Sequence, residues 1–186
     1  AGPILMAAYA SFQDWDGLIL FTYDGELAPT RIANNFDVST MPEQFLQLPV
    51  AARLFQRRAV QPARLSRAYP IYAEHRSISP EVALRHGVTR VVGDAAPPRA
   101  LAKASNPWVS DTGELAWDER HGRVVITTPR VQAVVGQVGD GPLSLPDATF
   151  SVETPFASVA ISSLDERPLA SSRHLLLTTV ARSENT

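Results

Sequence analysis

Leu18-Ile19-Leu20-Phe21-Thr22-Tyr23 is a run of six uncharged residues held between Asp14-Trp15-Asp16-Gly17 and Asp24-Gly25. Apolar residues here do not alternate with polar ones, so the run predicts a strand covered on both faces, as in a parallel sheet. Upstream, Pro3 sits just inside a helix start, and Ile4, Leu5, Ala8, Tyr9 and Phe12 recur at helical spacing. Downstream, a polar loop runs to about Thr40 and a second helix opens at Met41-Pro42-Glu43. Its apolar face comprises Phe45, Leu46, Val50, Leu54 and Phe55, and Pro49 predicts a kink or restart. Arg53, Arg57 and Arg58 suit the negative C-terminal end of its dipole. Helix, buried strand, helix is a fragment of a βα-repeat architecture.

The pattern changes near Pro62. Residues 62–98 form a proline-rich connector with a short helix expected over 80–86. Short β-branched runs then predict strands at 88–92, 114–118, 123–128, 131–138, 149–153, 157–162 and 173–182. Close spacing without intervening helices reads as an antiparallel β-sandwich. The expected fold class is therefore α+β: a β-sandwich over 99–186, preceded by a helix-strand-helix unit over 1–61.

Composition narrows the function. The 186 residues are 45% hydrophobic and 19% charged, which suits a soluble globular chain with a real core. A net charge of −2 with scattered arginines lacks the basic footprint of a nucleic-acid binder. No apolar run reaches the roughly 20 residues of a membrane span. Ala1 leads straight into a helical pattern, without the features of a signal peptide. Zero cysteines exclude disulfides, thiolate metal sites and a cysteine nucleophile.

The segment AAYASFQDWDGLILFTYDG, residues 7–25, resembles the last helix and eighth strand of the (β/α)8 barrel in bacterial glycoside hydrolases of the clan A type. FDVSTMPEQFLQLPVAARLFQRRAVQPA, residues 36–63, is similar to that barrel's closing helix and its exit. Residues 110–136 and 162–186 resemble the β-sandwich that follows such barrels. The resemblance implies that residues 1–61 are a barrel remnant. It also implies a retaining mechanism, with two carboxyl groups about 5 Å apart. In that family they close the fourth and seventh strands, so both are expected upstream of Ala1 and no catalytic residue is assigned here. A polysaccharide or oligosaccharide partner and a secreted or periplasmic setting follow from the same resemblance, and no cofactor is expected.

Barrel sites lie at the C-terminal ends of the strands. Tyr23 and Asp24 occupy that end, where a ring could stack on a sugar and a carboxylate accept its hydroxyls. The ordinary alternative is a core tyrosine and a turn-forming aspartate. Asp14 and Asp16 fall at the opposite, stability face and read as turn residues. Trp108 and Trp117 flank the turn 110–114, and either indole could be a sugar platform, although strand alternation favours a core role for Trp117. Glu74-His75, His86, His121 and His174 lack metal-ligand or triad spacing, and no metal site is expected.

Two other functions are open. A non-catalytic carbohydrate-binding module would use Trp108 and Trp117. A self-contained hydrolase would need Asp24 and Glu26, only two residues apart with no facing partner. An isolated βα remnant leaves apolar surface bare, which predicts a homo-oligomer.

Overall fold

In a computed structural model, the structure describes residues 2–23, 37–69, 90–93 and 107–181. It is α+β, and its centre is a six-stranded sheet.

Helix α1 spans Gly2–Phe12 and buries Pro3, Ile4, Ala7, Ala8, Ala10, Ser11 and Phe12. Three alanines among these let a second helix approach closely. A single 3-10 turn, Val38–Thr40, leads to α2, Pro42–Phe45, and α3, Leu48–Phe55. The expected restart lies here: Pro49 stands in the first turn of α3, where its missing N–H removes nothing from the helix. The Gln47 side-chain amide donates to the Glu43 carbonyl across the break.

The C-terminal ends of α1 and α3 meet. Ser11 Oγ donates to the Val60 carbonyl at 2.6 Å, and Ala63 N–H donates to the Phe12 carbonyl at 2.8 Å. Arg58 Nη1 lies 3.1 Å from Asp14 Oδ1. The C-terminal ends of the two helices therefore lie close together. Residues 18–23 can reach about 20 Å, enough to cover the ~16 Å length of α1. They end beside the 3-10 turn, where Val38 and Ser39 N–H groups donate to the Thr22 and Tyr23 carbonyls at 2.9 and 2.8 Å.

The expected strand over 18–23 is corrected: these residues join no sheet among the described residues. Leu18, Leu20 and Thr22 are half-buried, and Leu18 packs on the helical core. Ile19, Phe21 and Tyr23 are 90%, 79% and 60% exposed. The segment thus has one covered side and, among the described residues, no place in a sheet.

Beyond the helices come β1, Ser66–Tyr69, and β2, Arg90–Gly93, which pair in parallel as a separate two-stranded sheet. The run at 88–92 was expected in the antiparallel sandwich, and this parallel pairing corrects it. The main sheet comprises β3, Trp108–Val109; β4, Leu115–Asp118; β5, Arg123–Thr127; and β6, Val131–Gln137. After the hairpin of β7, Leu143–Ser144, and β8, Thr149–Phe150, it adds β9, Phe156–Ser163, and β10, Leu175–Ala181. Its order is β10-β9-β6-β5-β4-β3, antiparallel throughout.

One face of this sheet carries the helices. Ile4, Ala8, Phe12, Val50 and Leu54 share a core with Leu115, Ile126, Val131, Ala133, Val135 and Ala160. On the other face Val134, Val138, Ala157 and Val159 pack with Phe150 under the β7–β8 hairpin. Strand β6 is covered on both sides, and six of its residues are buried. Buried Gln132 faces the hairpin and holds it down: its amide donates to Asp147 Oδ2 at 2.7 Å and its carbonyl accepts Asp147 N–H at 3.1 Å. The expected two-sheet sandwich is thus a helix layer, a six-stranded sheet and a two-stranded flap. Residues 1–61 and 99–186 share one core.

Candidate functional site

Tyr23 stands where residues 18–23 meet the 3-10 turn, and its backbone is fixed there by the bond from Ser39. A core role is not what the structure places at Tyr23, because most of its side chain is bare. With Ile19 and Phe21 it forms the uncovered side of residues 18–23. Asp24 and Glu26 lie outside the described residues, as do Glu74, His75 and His86. The structure therefore brings no carboxylate pair to Tyr23 among the described residues.

Trp108 stands opposite Trp117 in the β3–β4 register, and both are half-buried. Trp117 shares its strand face with Leu115, which packs toward the helices. Across-strand pairing of two large rings favours sheet stability over a bare sugar platform.

The turn 110–114 is a hairpin turn, with Gly113 at φ 77 and its N–H bonded to the Ser110 carbonyl at 2.9 Å. Its carboxylates tie down the chain that leaves α3. Asp111 Oδ2 accepts Leu65 N–H and Glu114 Oε2 accepts Gln61 N–H, both at 2.7 Å. Burial pushes the Glu114 carboxyl above its ordinary value, and the Gln61 N–H and nearby Arg64 act the other way. Among the described residues no three His, Asp or Glu side chains converge as metal ligands.

Two of the cavities lined by described residues gather polar side chains. The larger, about 530 Å³, lies at the β4–β5 turn and is lined by polar residues including Glu119, His121, Asp140 and Glu153. His121 Nδ1 lies 2.6 Å from Asp118 Oδ2, and Arg123 Nε lies 3.5 Å from the same oxygen, which braces the turn. No nucleophile stands beside that imidazole in the lining, so the pair has no triad geometry.

The smaller cavity, about 320 Å³, opens between the C-terminal ends of α1 and α3. Ser11 and Phe55 contribute to its lining, together with Asp14, Trp15, Asp16, Gln56 and Arg58. The Schellman-type bond from Trp15 N–H to the Ala10 carbonyl, 2.9 Å, ends α1 and sets Trp15 at the mouth. Asp14 and Asp16 do form the turn the sequence implies. Their grouping with Gln56 and Arg58 escapes a linear reading, because it depends on two helix ends distant in sequence coming together. The available signal is an aromatic flanked by two carboxylates just beyond a helix end.

No family model, no curated protein and no solved structure matches this chain.

Proposed function

We propose that this chain is the closing part of a carbohydrate-active glycoside hydrolase: the end of its (β/α)8 barrel followed by an accessory β domain. On this reading it contributes a sugar-contacting edge through Tyr23, with Asp24 next in the chain, and does not hold the catalytic carboxylate pair. What supports it is the one-sided burial of residues 18–23. Leu18 rests on the helical core while Ile19, Phe21 and Tyr23 are bare. In a complete barrel, alternate strand residues face the helices and the barrel interior. Ile19, Phe21 and Tyr23 would be the interior set, awaiting neighbouring strands.

The same bare side supports association between copies, because exposed apolar patches favour burial. A strictly monomeric species in light scattering at high concentration would count against that. The alternative, a non-catalytic binding module built on Trp108, has weaker support because Trp108 is half-buried opposite Trp117.

The test compares hydrolysis of a panel of aryl glycosides by this chain and by the product of the whole reading frame around it. The chain alone should be inactive. The longer product should carry preceding βα units and turn over at least one glycoside, and Tyr23→Ala should lower its kcat/KM by about tenfold or more. Clean turnover by the chain alone, or a reading frame without those units, overturns the proposal.

A further inference from the structure

We infer that the cleft between the C-terminal ends of α1 and α3 is a saccharide-binding subsite, with Trp15 as its stacking platform. The inference does not rest on the barrel reading; it needs only the groups gathered at this cleft. Trp15 is 52% exposed, a large ring held at a cavity mouth by a backbone fixed to Ala10. An indole face offers an apolar plane to the C–H groups of a sugar ring, while the ring edge stays wet.

The rim supplies the complement to hydroxyl groups, which both donate and accept. Asp14 and Asp16 bring acceptors, Gln56 brings both kinds of group, and Arg58 brings donors. The Asp14–Arg58 contact of 3.1 Å uses one of the five guanidinium N–H groups and fixes two rim side chains at once. Both residues hold left-handed backbone, φ 55 and φ 47, at helix ends where glycine is the favoured occupant. Charged side chains stand there instead, and both line the cleft.

Size and charge select the ligand class. About 320 Å³ lies at the lower end of small-molecule sites, suited to one ring of a chain rather than a folded partner. Arg58 already occupies the cationic position beside Asp14, so a neutral polyhydroxyl ligand fits better than an ammonium or guanidinium ion. The larger cavity has no Trp, Tyr or Phe in its lining.

The test titrates the 186-residue chain with soluble hexasaccharides of glucose, xylose, mannose and galactose, by calorimetry and tryptophan fluorescence. Saturable binding of at least one, with a dissociation constant of about millimolar or tighter, is expected. Trp15→Ala should weaken it about tenfold or more, and Trp15→Phe should restore part of the loss. Asp16→Ala, at an exposed position that leaves the fold intact, should weaken it as well. Phe45→Ala, at an exposed aromatic of α2 outside the cleft, should leave it unchanged. Absence of saturable binding with all of these sugars overturns the inference, as does binding that survives both Trp15→Ala and Asp16→Ala. Binding lost in Tyr23→Ala but kept in Trp15→Ala overturns it too, while favouring the site proposed at Tyr23.

Discussion

Glu166→Ala tests whether the helix layer is fastened to the sheet by charge as well as by its apolar core. Glu166 sits in the loop between β9 and β10 and faces three arginines. Arg53 of α3 lies 2.8 Å from Oε1 and Arg130 lies 2.6 Å from Oε2, with Arg57 at 4.0 Å. Arg130 also donates to the Arg57 and Arg58 carbonyls at 2.8 and 3.2 Å, in the chain just past α3. Arg130, far along the chain, thus ties down the segment that leaves α3, while Arg53 and Arg57 turn toward Glu166. Glu166 is 44% exposed, so each pair is discounted to the surface range of about 0.2–1 kcal/mol. Two close pairs, plus repulsion among the arginines left behind, give a loss of about 1–2 kcal/mol. Glu166 also has φ 60, so Glu166→Gly removes the same pairs but relieves roughly 1 kcal/mol of backbone strain. Urea denaturation should therefore rank wild type above Glu166→Gly, and Glu166→Ala lowest. In 1 M salt, where screening acts over about 3 Å, the deficit of Glu166→Ala should shrink. A Glu166→Ala midpoint equal to wild type at low salt, or a deficit indifferent to salt, would refute the reasoning.

Two further outcomes are expected. Because burial raises the Glu114 carboxyl, its protonation favours the folded state. That contribution is full below the unfolded value near 4.3 and is lost as pH rises through the folded value. Glu114→Gln keeps an acceptor for Gln61 N–H, so urea titrations should show the variant gaining on wild type as pH rises from about 4 to 7; parallel curves would contradict this. Gly136 has φ 130, and a Cβ there would stand 2.3 Å from the Gly122 carbonyl oxygen and 2.7 Å from Arg123 Cα. Both are backbone atoms in a paired hairpin, so Gly136→Ala should cost at least about 3 kcal/mol, and a melting temperature within about 2 °C of wild type would be inconsistent with that geometry.

Local signals carried much of the fold. The restart at Pro49 follows from one ring and one missing N–H, and it is where α3 begins. Runs such as 123–128 and 131–138 are strands because β-branched residues fit a sheet covered on both sides, as β6 is. Layering was less legible. Apolar strand faces state that something must cover them, not whether a sheet or a helix does so. Here Ile126, Ala133 and Ala160 meet the alanine-rich α1 and Leu54 of α3. Strands β3 and β7 are two residues each, too short for periodicity to reveal, and β8 keeps two residues of the run expected at 149–153.

The run 18–23 shows why composition and burial have to be argued separately. Its six residues are apolar enough for a strand covered on both sides, yet cover exists on one side alone. Burying a Phe or Ile side chain stabilises a fold by about 1.5–3 kcal/mol, so leaving Ile19, Phe21 and Tyr23 bare forgoes several kcal/mol. A chain selected only for its own stability would place polar residues at these alternate positions, as half-buried strands do. The helix-facing positions Leu18 and Leu20 already suffice to dock the segment. That bare side is what the proposed contact with barrel strands or a second copy would cover. The Trp15 cleft differs in kind: its indole is accompanied by carboxylates, an amide and a guanidinium, whereas Ile19 and Phe21 are apolar. A bare apolar side is suited to burial against protein, and a ring rimmed with hydrogen-bonding groups to a polar ligand. Tyr23, with its hydroxyl at the end of the bare side, stands between the two.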